Sequence, residues 1–303
     1  MRRPTSIDAM TEALGRFQSD EGQARGLAFQ PKPSDVIISP YAKCGTTWMQ
    51  QIVHGLRSGG DMGFDEITAV TPWIEMAHDI GFDLEASQPG DLRAFKSHLP
   101  WDIIPKGGRY IIVLRDPVDA MVSLFKFFEG WFFETGSVSV DAFARYYLDE
   151  RDGRDYWHHA ASWWDVRGRG DVLILTYEAM RQDLPRAVND VAAFIGVSDA
   201  QTIAVAETKA RFDFMKAHEV QFDDHLTRQA RDAMCGLPPG SVVTKVSEGK
   251  AGAGKPMLGA EAHDAFAMRW RETMGARFGV DDYAALRALL EPASGGLGVK
   301  DKP

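Results

Sequence analysis

Short apolar runs recur along the chain, and helical spacing follows each of them. After the two prolines of "FQPKPSD", the apolar run of "DVIIS" suits a strand buried on both faces, and a helix is predicted from about Thr46 to Leu56. The pattern repeats at "GGRYIIVLRDPVDAMVSLFKFF": a Gly-Gly turn, a strand from Tyr110 to Leu114, a polar loop Arg115-Asp116, and a helix entered through Pro117. It appears again at "GDVLILTYEAMRQDL", with a strand from Val172 to Thr176 and a helix around Leu184 to Ile195. "LRAFKSH" reads as a further strand ending in polar residues. Ile7, Met10, Leu14 and Phe17 predict a packing helix over residues 5–18, capped by Thr5 or Ser6, and Thr-Pro in "TPWIEMAHD" predicts a helix start there. A last amphipathic helix is expected from about Glu261 to Phe278. Strands alternating with helices imply an α/β fold: one central, mainly parallel sheet flanked by helices, with ligands beyond the carboxyl ends of the strands.

Length and composition narrow this picture. The chain has 303 residues, 45% apolar and 25% charged, which suits a single folded domain over 1–303. A net charge of -9 argues against bulk binding to nucleic acid or anionic membrane, so any anion site has to be local. Cys44 and Cys235 are the only cysteines and lie far apart, which suits a reducing compartment and neither a metal site nor a disulfide framework. No signal-peptide core and no run of about 18 apolar residues occurs, so a cytoplasmic location without a membrane span is expected. Aromatic residues crowd "LFKFFEGWFFETG" and "YWHHAASWWDV", either as core or, in part, as an apolar acceptor pocket. The Gly, Pro and Lys of residues 235–256 read as a flexible loop, and residues 292–303 as a disordered tail.

The chemistry concentrates in "SPYAKCGTTW". A strand ends, Gly45 lets backbone approach a ligand, and Thr46 and Thr47 open a helix whose free N–H groups favour an anion. A nucleotide-triphosphate loop would place its lysine after the glycine, but Lys43 precedes Gly45. "GKAGAGKP" imitates that loop until Pro256 replaces the hydroxyl residue that a magnesium ion requires.

"PYAKCGTTW" resembles the 5'-phosphosulfate loop of the cytosolic-type sulfotransferase family at Lys43, Gly45, Thr46, Thr47 and Trp48, and departs from it at Ala42 and Cys44. "FKSHLP" resembles the family's Lys-Thr-His-Leu-Pro, and "YIIVLRDPVDAMVS" its 3'-phosphate element, with Ser123 eight residues after Arg115. The likeness spans about residues 33–217. It implies transfer of a sulfuryl group from 3'-phosphoadenosine 5'-phosphosulfate (PAPS) to a hydroxyl or amine of a small, apolar acceptor, leaving 3'-phosphoadenosine 5'-phosphate (PAP), with no metal. By the same resemblance Lys43, His98 and Lys96 are catalytic, His98 as general base, and Lys43 also binds the donor with Cys44, Gly45, Thr46, Thr47 and Trp48. Arg115 and Ser123 would grip the 3'-phosphate, and Tyr177 and Phe212 would enclose adenine.

The glycine-rich loop departs furthest, because Ser247 and Glu248 replace the family's basic pair. Gly249 persists, and Lys250 is expected near the 3'-phosphate. Trp73, Phe127, Trp131 and Phe132 are candidates for the acceptor pocket. Cys44, where the family favours serine, is either a neutral substitution or a thiol made oxidation-sensitive by the helix N-terminus. Two other readings are a nucleotide-dependent phosphotransferase or kinase, and a non-catalytic phosphonucleotide-binding protein. The first should carry an acidic magnesium ligand at a strand end, which is not evident.

Overall fold

Alternating side chains along each strand reach opposite faces of the sheet, and here both faces are buried. Ile37, Phe95, Tyr110, Ile112 and Leu114 enter one apolar cluster, while Val36, Ile38, Ala94, Ile111 and Val113 enter another. The strands are β1 (Val36–Ile38), β2 (Ala94–Lys96), β3 (Arg109–Leu114) and β4 (Val172–Thr176). They pair in parallel in the order β2-β1-β3-β4. The computed structural model describes residues 1–90, 92–149, 153–240, 245, 252 and 254–291. Helices Thr46–Ser58 and Leu184–Ile195 cover one face, and helices Pro117–Phe128 and Tyr156–Asp165 the other. The chain leaves β1 for β2 on one side and returns to β3 on the other. The order therefore reverses between β1 and β3, where open α/β sheets leave a crevice for a ligand.

The α/β fold and the parallel sheet match the expectation, and so do the helices after β1, β3 and β4. The Thr-Pro signal does not start a helix: Trp73 instead bridges to Lys96 at the sheet edge, and the helix there is only Ala77–Ile80. Pairing of Ile74 N–H with the Lys96 carbonyl holds this segment extended against β2. The N-terminal helix ends at Gly15, so Phe17 lies beyond it. Helices Asp20–Leu27, Val140–Leu148, Ala200–Lys209, His225–Arg231 and Tyr283–Leu290 are not among the expected elements, although Val140, Phe143, Ala144 and Tyr147 have helical spacing. The last expected helix runs as Ala260–Trp270, a π-turn over Arg271–Gly275 and Ala276–Phe278. The stretch from Cys235 was expected to be unpacked, yet Cys235 and Leu237 are buried in the main core. Most of residues 241–253, and the 292–303 tail, lie outside the described residues. Among the described residues no helix is long and apolar enough to cross a membrane.

The helix after β1 is seated by a close approach. At Gly55, a side-chain carbon would stand 3.1 Å from Ala206 Cβ and 3.2 Å from its Cα on helix Ala200–Lys209. Larger residues must push the two helices apart. Gly55→Leu is therefore expected to lower stability by about 1–3 kcal/mol in urea denaturation, and an unchanged midpoint would contradict this packing.

Candidate functional site

The loop after β1 turns through two left-handed residues, Lys43 at φ 65° and Gly45 at φ 102°. Glycine is required at position 45 twice over: its φ disfavours other residues, and an added Cβ would stand 3.1 Å from the Tyr177 ring. Gly45 is the N-cap of helix Thr46–Ser58 and supplies no capping side chain, so the helix start keeps its N–H groups for another acceptor. Thr46 Oγ1 is buried with no partner in the protein, the kind of group that a bound oxyanion completes. Thr46, Thr47, Lys43 and Gly45 all line one cavity of about 920 Å³.

Cys44 does not line that cavity. Its side chain belongs to the core, its N–H bonds the Tyr41 carbonyl at 3.1 Å, and burial pushes its thiol up to about 12. Of the two readings of Cys44, the activated thiol is the one the structure disfavours: desolvation outweighs the nearby Arg115.

Three reacting-type groups meet at the inner end. Lys43 Nζ sits 3.8 Å from the Phe127 ring centroid, and Lys96 Nζ 3.6 Å from that of Trp73. Both ammonium groups are desolvated, and aromatic faces partly replace the lost water. Burial, aided by neighbouring Lys245, lowers Lys96 to about 8 and takes Lys43 well below its ordinary value. His98 packs edge-on against Trp73, and its backbone N–H bonds Glu75 Oε1 at 2.7 Å. Its Nδ1 lies 2.7 Å from the Pro40 carbonyl, which can only accept, so Nδ1 carries the proton and the neutral ring leaves Nε2 as the acceptor. Burial and then Lys96 hold His98 well below its usual range, so the ring is neutral at physiological pH.

The outer end is aromatic and basic. Arg115, just past β3, lies 4.3 Å over the Tyr177 ring and donates from Nη1 to the Lys43 carbonyl at 2.8 Å. This fixes the cradle to the next strand. Ser123 faces the same space from helix Pro117–Phe128. Trp48 stands 5.6 Å from Tyr177 at 70° and is locked by Nε1–H to the Ala210 carbonyl at 2.7 Å. Phe212 completes this aromatic group and is half exposed. Trp73, Phe127, Trp131 and Phe132 line the cavity, and the last three also belong to the core.

Gly249 and Lys250 lie outside the described residues. Lys255, from the same loop, pairs with Asp116 at 3.4 Å. Three groups are not singled out by the sequence. Asp119, one helical turn after Arg115, accepts from Gly252 and Gly254 N–H at 2.5 and 3.0 Å and docks the glycine-rich loop beside the cavity. Asp224 and Lys245 form an ion pair inside it. Asp119 was visible as part of the Arg115 motif, whereas "FDDHLT" carries no local signal that one of its aspartates is buried. Among the described residues, no group of three or more His, Cys, Asp or Glu side chains is placed to hold a metal.

Comparison with known proteins agrees with this geometry. The family described as "Sulfotransferase domain" matches residues 33–277. Sulfotransferase 1C2 of Rattus norvegicus is 29% identical over 206 residues, covering 62% of this chain and 68% of the relative. Sulfotransferase 4A1 of Homo sapiens is 27% identical over 258 residues, 82% of each chain. The solved structure of retinol dehydratase, in complex with androsterone and inactive cofactor PAP, superposes with a TM-score of 0.65 at 20% identity, covering 90% of this chain and 96% of that one. A parallel sheet carrying an uncapped, lysine-flanked helix start, together with a match over most of its length, places this chain in the sulfotransferase family.

Proposed function

We propose that the protein transfers a sulfuryl group from PAPS to the hydroxyl or amine of a small apolar acceptor, with His98 as general base. The observation that carries this reading is the juxtaposition, in one cavity, of an acceptor-type imidazole nitrogen, two buried lysines and an uncapped helix N-terminus. The residues present suit the donor: backbone N–H groups, Thr46 and Thr47 for the 5'-phosphate, Arg115 and Ser123 for the 3'-phosphate, and Trp48, Tyr177 and Phe212 for adenine. PAPS supplies an activated sulfuryl group on a phosphate leaving group.

His98 Nε2 takes the acceptor's proton as its oxygen or nitrogen bonds to sulfur. Lys43 neutralises the charge that develops on the bridging oxygen as the bond from sulfur to that oxygen breaks, and PAP leaves with the electron pair. Lys96 stabilises the sulfuryl oxygens. Trp73, Phe127, Trp131 and Phe132 exclude water and favour an apolar acceptor. Retinol dehydratase, whose structure contains androsterone, is a fold relative with an apolar molecule bound, which supports the same class of acceptor. A single domain over 1–303 and a cytoplasmic location complete the reading, the latter supported by two cysteines that are both free.

Labelled PAPS offered to a panel of phenols, alcohols and amines is expected to yield labelled product with the wild type. Lys43→Ala and His98→Ala should each reduce kcat by about 10²- to 10⁴-fold while PAP still raises the melting temperature. No transfer, together with melting shifted by ATP and not by PAP, would overturn the reading.

The lowered lysine pKa values predict coupling of donor binding to protons. An anion favours the charged lysine, so binding raises the Lys96 pKa from about 8 and draws a proton in. Affinity for PAPS is then complete below pH 8 and falls as pH rises above it, by up to about tenfold per pH unit for one proton. Calorimetric titration at about pH 8.5 in Tris and in HEPES should give different heats corresponding to proton uptake. Equal heats would show that both lysines are already charged in the free protein.

A further inference from the structure

Ser247 and Glu248 leave the glycine-rich loop without the basic pair that the family resemblance leads one to expect. A different cation from the same stretch reaches the cavity. Lys245 lines it, its side chain is only 9% exposed, and its ammonium pairs with Asp224, whose side chain is 5% exposed.

Asp224 is built for this contact and not for its own helix. It occupies the N-cap of helix His225–Arg231, where an aspartate ordinarily accepts a backbone N–H, yet it makes no such bond. Asp223 accepts the His225 N–H at 3.0 Å instead. The backbone of Asp224 is held at φ 60°, a left-handed conformation uncommon outside glycine, and this directs the carboxylate towards Lys245. Burial pushes the Asp224 carboxyl up, but Lys245, Lys96 and Lys43 overcome that effect and hold it below the usual carboxylate range.

Lys43, Lys96 and Lys245 share a buried space with Asp224, the buried Glu66 and Glu75 also act on Lys96, and Asp119 already receives two loop N–H groups. Lys245 is also the leading neighbouring charge acting on both Lys43 and Lys96, so it stands with the transfer site. Where buried ammonium groups outnumber carboxylates, each either gives up its proton or is balanced by an anion.

We propose that Lys245 is a third lysine of the transfer site, held ready by Asp224, and that its ammonium contacts the sulfuryl oxygens. The proposal rests on the PAPS reading. Lys245 gives and takes no proton: the bond from sulfur to the bridging oxygen breaks, the bond to the acceptor forms, the acceptor's proton goes to His98, and PAP carries off the electron pair. Asp224 acts through Lys245 as a positioning residue.

PAP lacks the sulfuryl group, so it separates this role from the others. Lys245→Met should leave the calorimetric Kd for PAP within about threefold of wild type and reduce the single-turnover rate of sulfuryl transfer by about 10- to 100-fold, with Lys245→Arg recovering most of the loss. Because Lys245→Met strands a buried carboxylate, the double variant Lys245→Met, Asp224→Asn is measured beside it. It should regain melting temperature and keep the transfer defect. Transfer restored along with stability, or PAP affinity falling as far as the rate, would make Lys245 a structural or 3'-phosphate group and overturn the proposal. A wild type that binds no PAP at all would instead fail the PAPS reading, and this inference with it.

Discussion

An excess of positive charge held out of water organises this site. Lys43, Lys96 and Lys245 are gathered at the mouth of the sheet with Asp224 as their buried counter-charge, beside a helix start whose own N–H groups add partial positive charge. Such a cluster is costly in an apolar surrounding, and the protein moderates it in two ways. Burial lowers the pKa values of Lys43 and Lys96, and the faces of Phe127 and Trp73 receive their side-chain nitrogens. The same rings line the cavity, so its apolar character and the readiness of its lysines have one structural origin.

The supports behind the site are arranged to keep it rigid. Arg115 ties the β1 loop to the end of β3 through the Lys43 carbonyl, and the Tyr156 hydroxyl donates to the Arg115 carbonyl at 2.5 Å. His98 is oriented from two sides, by Pro40 through its ring and by Glu75 through its backbone. On the far side, the Glu66 carboxylate accepts the Leu226 N–H at 3.0 Å and ties the segment around Asp224 to the body of the protein. An imidazole and three lysines drawn from separate parts of the chain can hold a common geometry only if each is fixed in this way.

Cys44 illustrates how two local influences compete. A thiol at a helix N-terminus ordinarily gains acidity from the helix dipole, but a fully buried one has no solvent to stabilise its anion. The chain resolves this by turning the side chain of Cys44 inward, leaving its neighbours Lys43 and Gly45 to face the cavity.

Periodicity by itself determined the strand-loop-helix units and the parallel sheet, because those are set by near neighbours in the chain, and the family resemblance of three short motifs named most of the residues that line the cavity. Lys43 with Gly45, and Arg115 with Ser123, are held in place by one loop and one helix each. Local pattern misled where long-range packing decided the outcome. Trp73 was drawn into a bridge with β2 instead of a helix, and the polar segment Asp20–Leu27 became a helix with little apolar pattern of its own. Asp224 and Lys245 are 21 residues apart, and nothing in "FDDHLT" or "VVTKVSE" distinguishes them from solvated charges. Only the tertiary structure removed both from water, and burial is what makes a charge's partner obligatory.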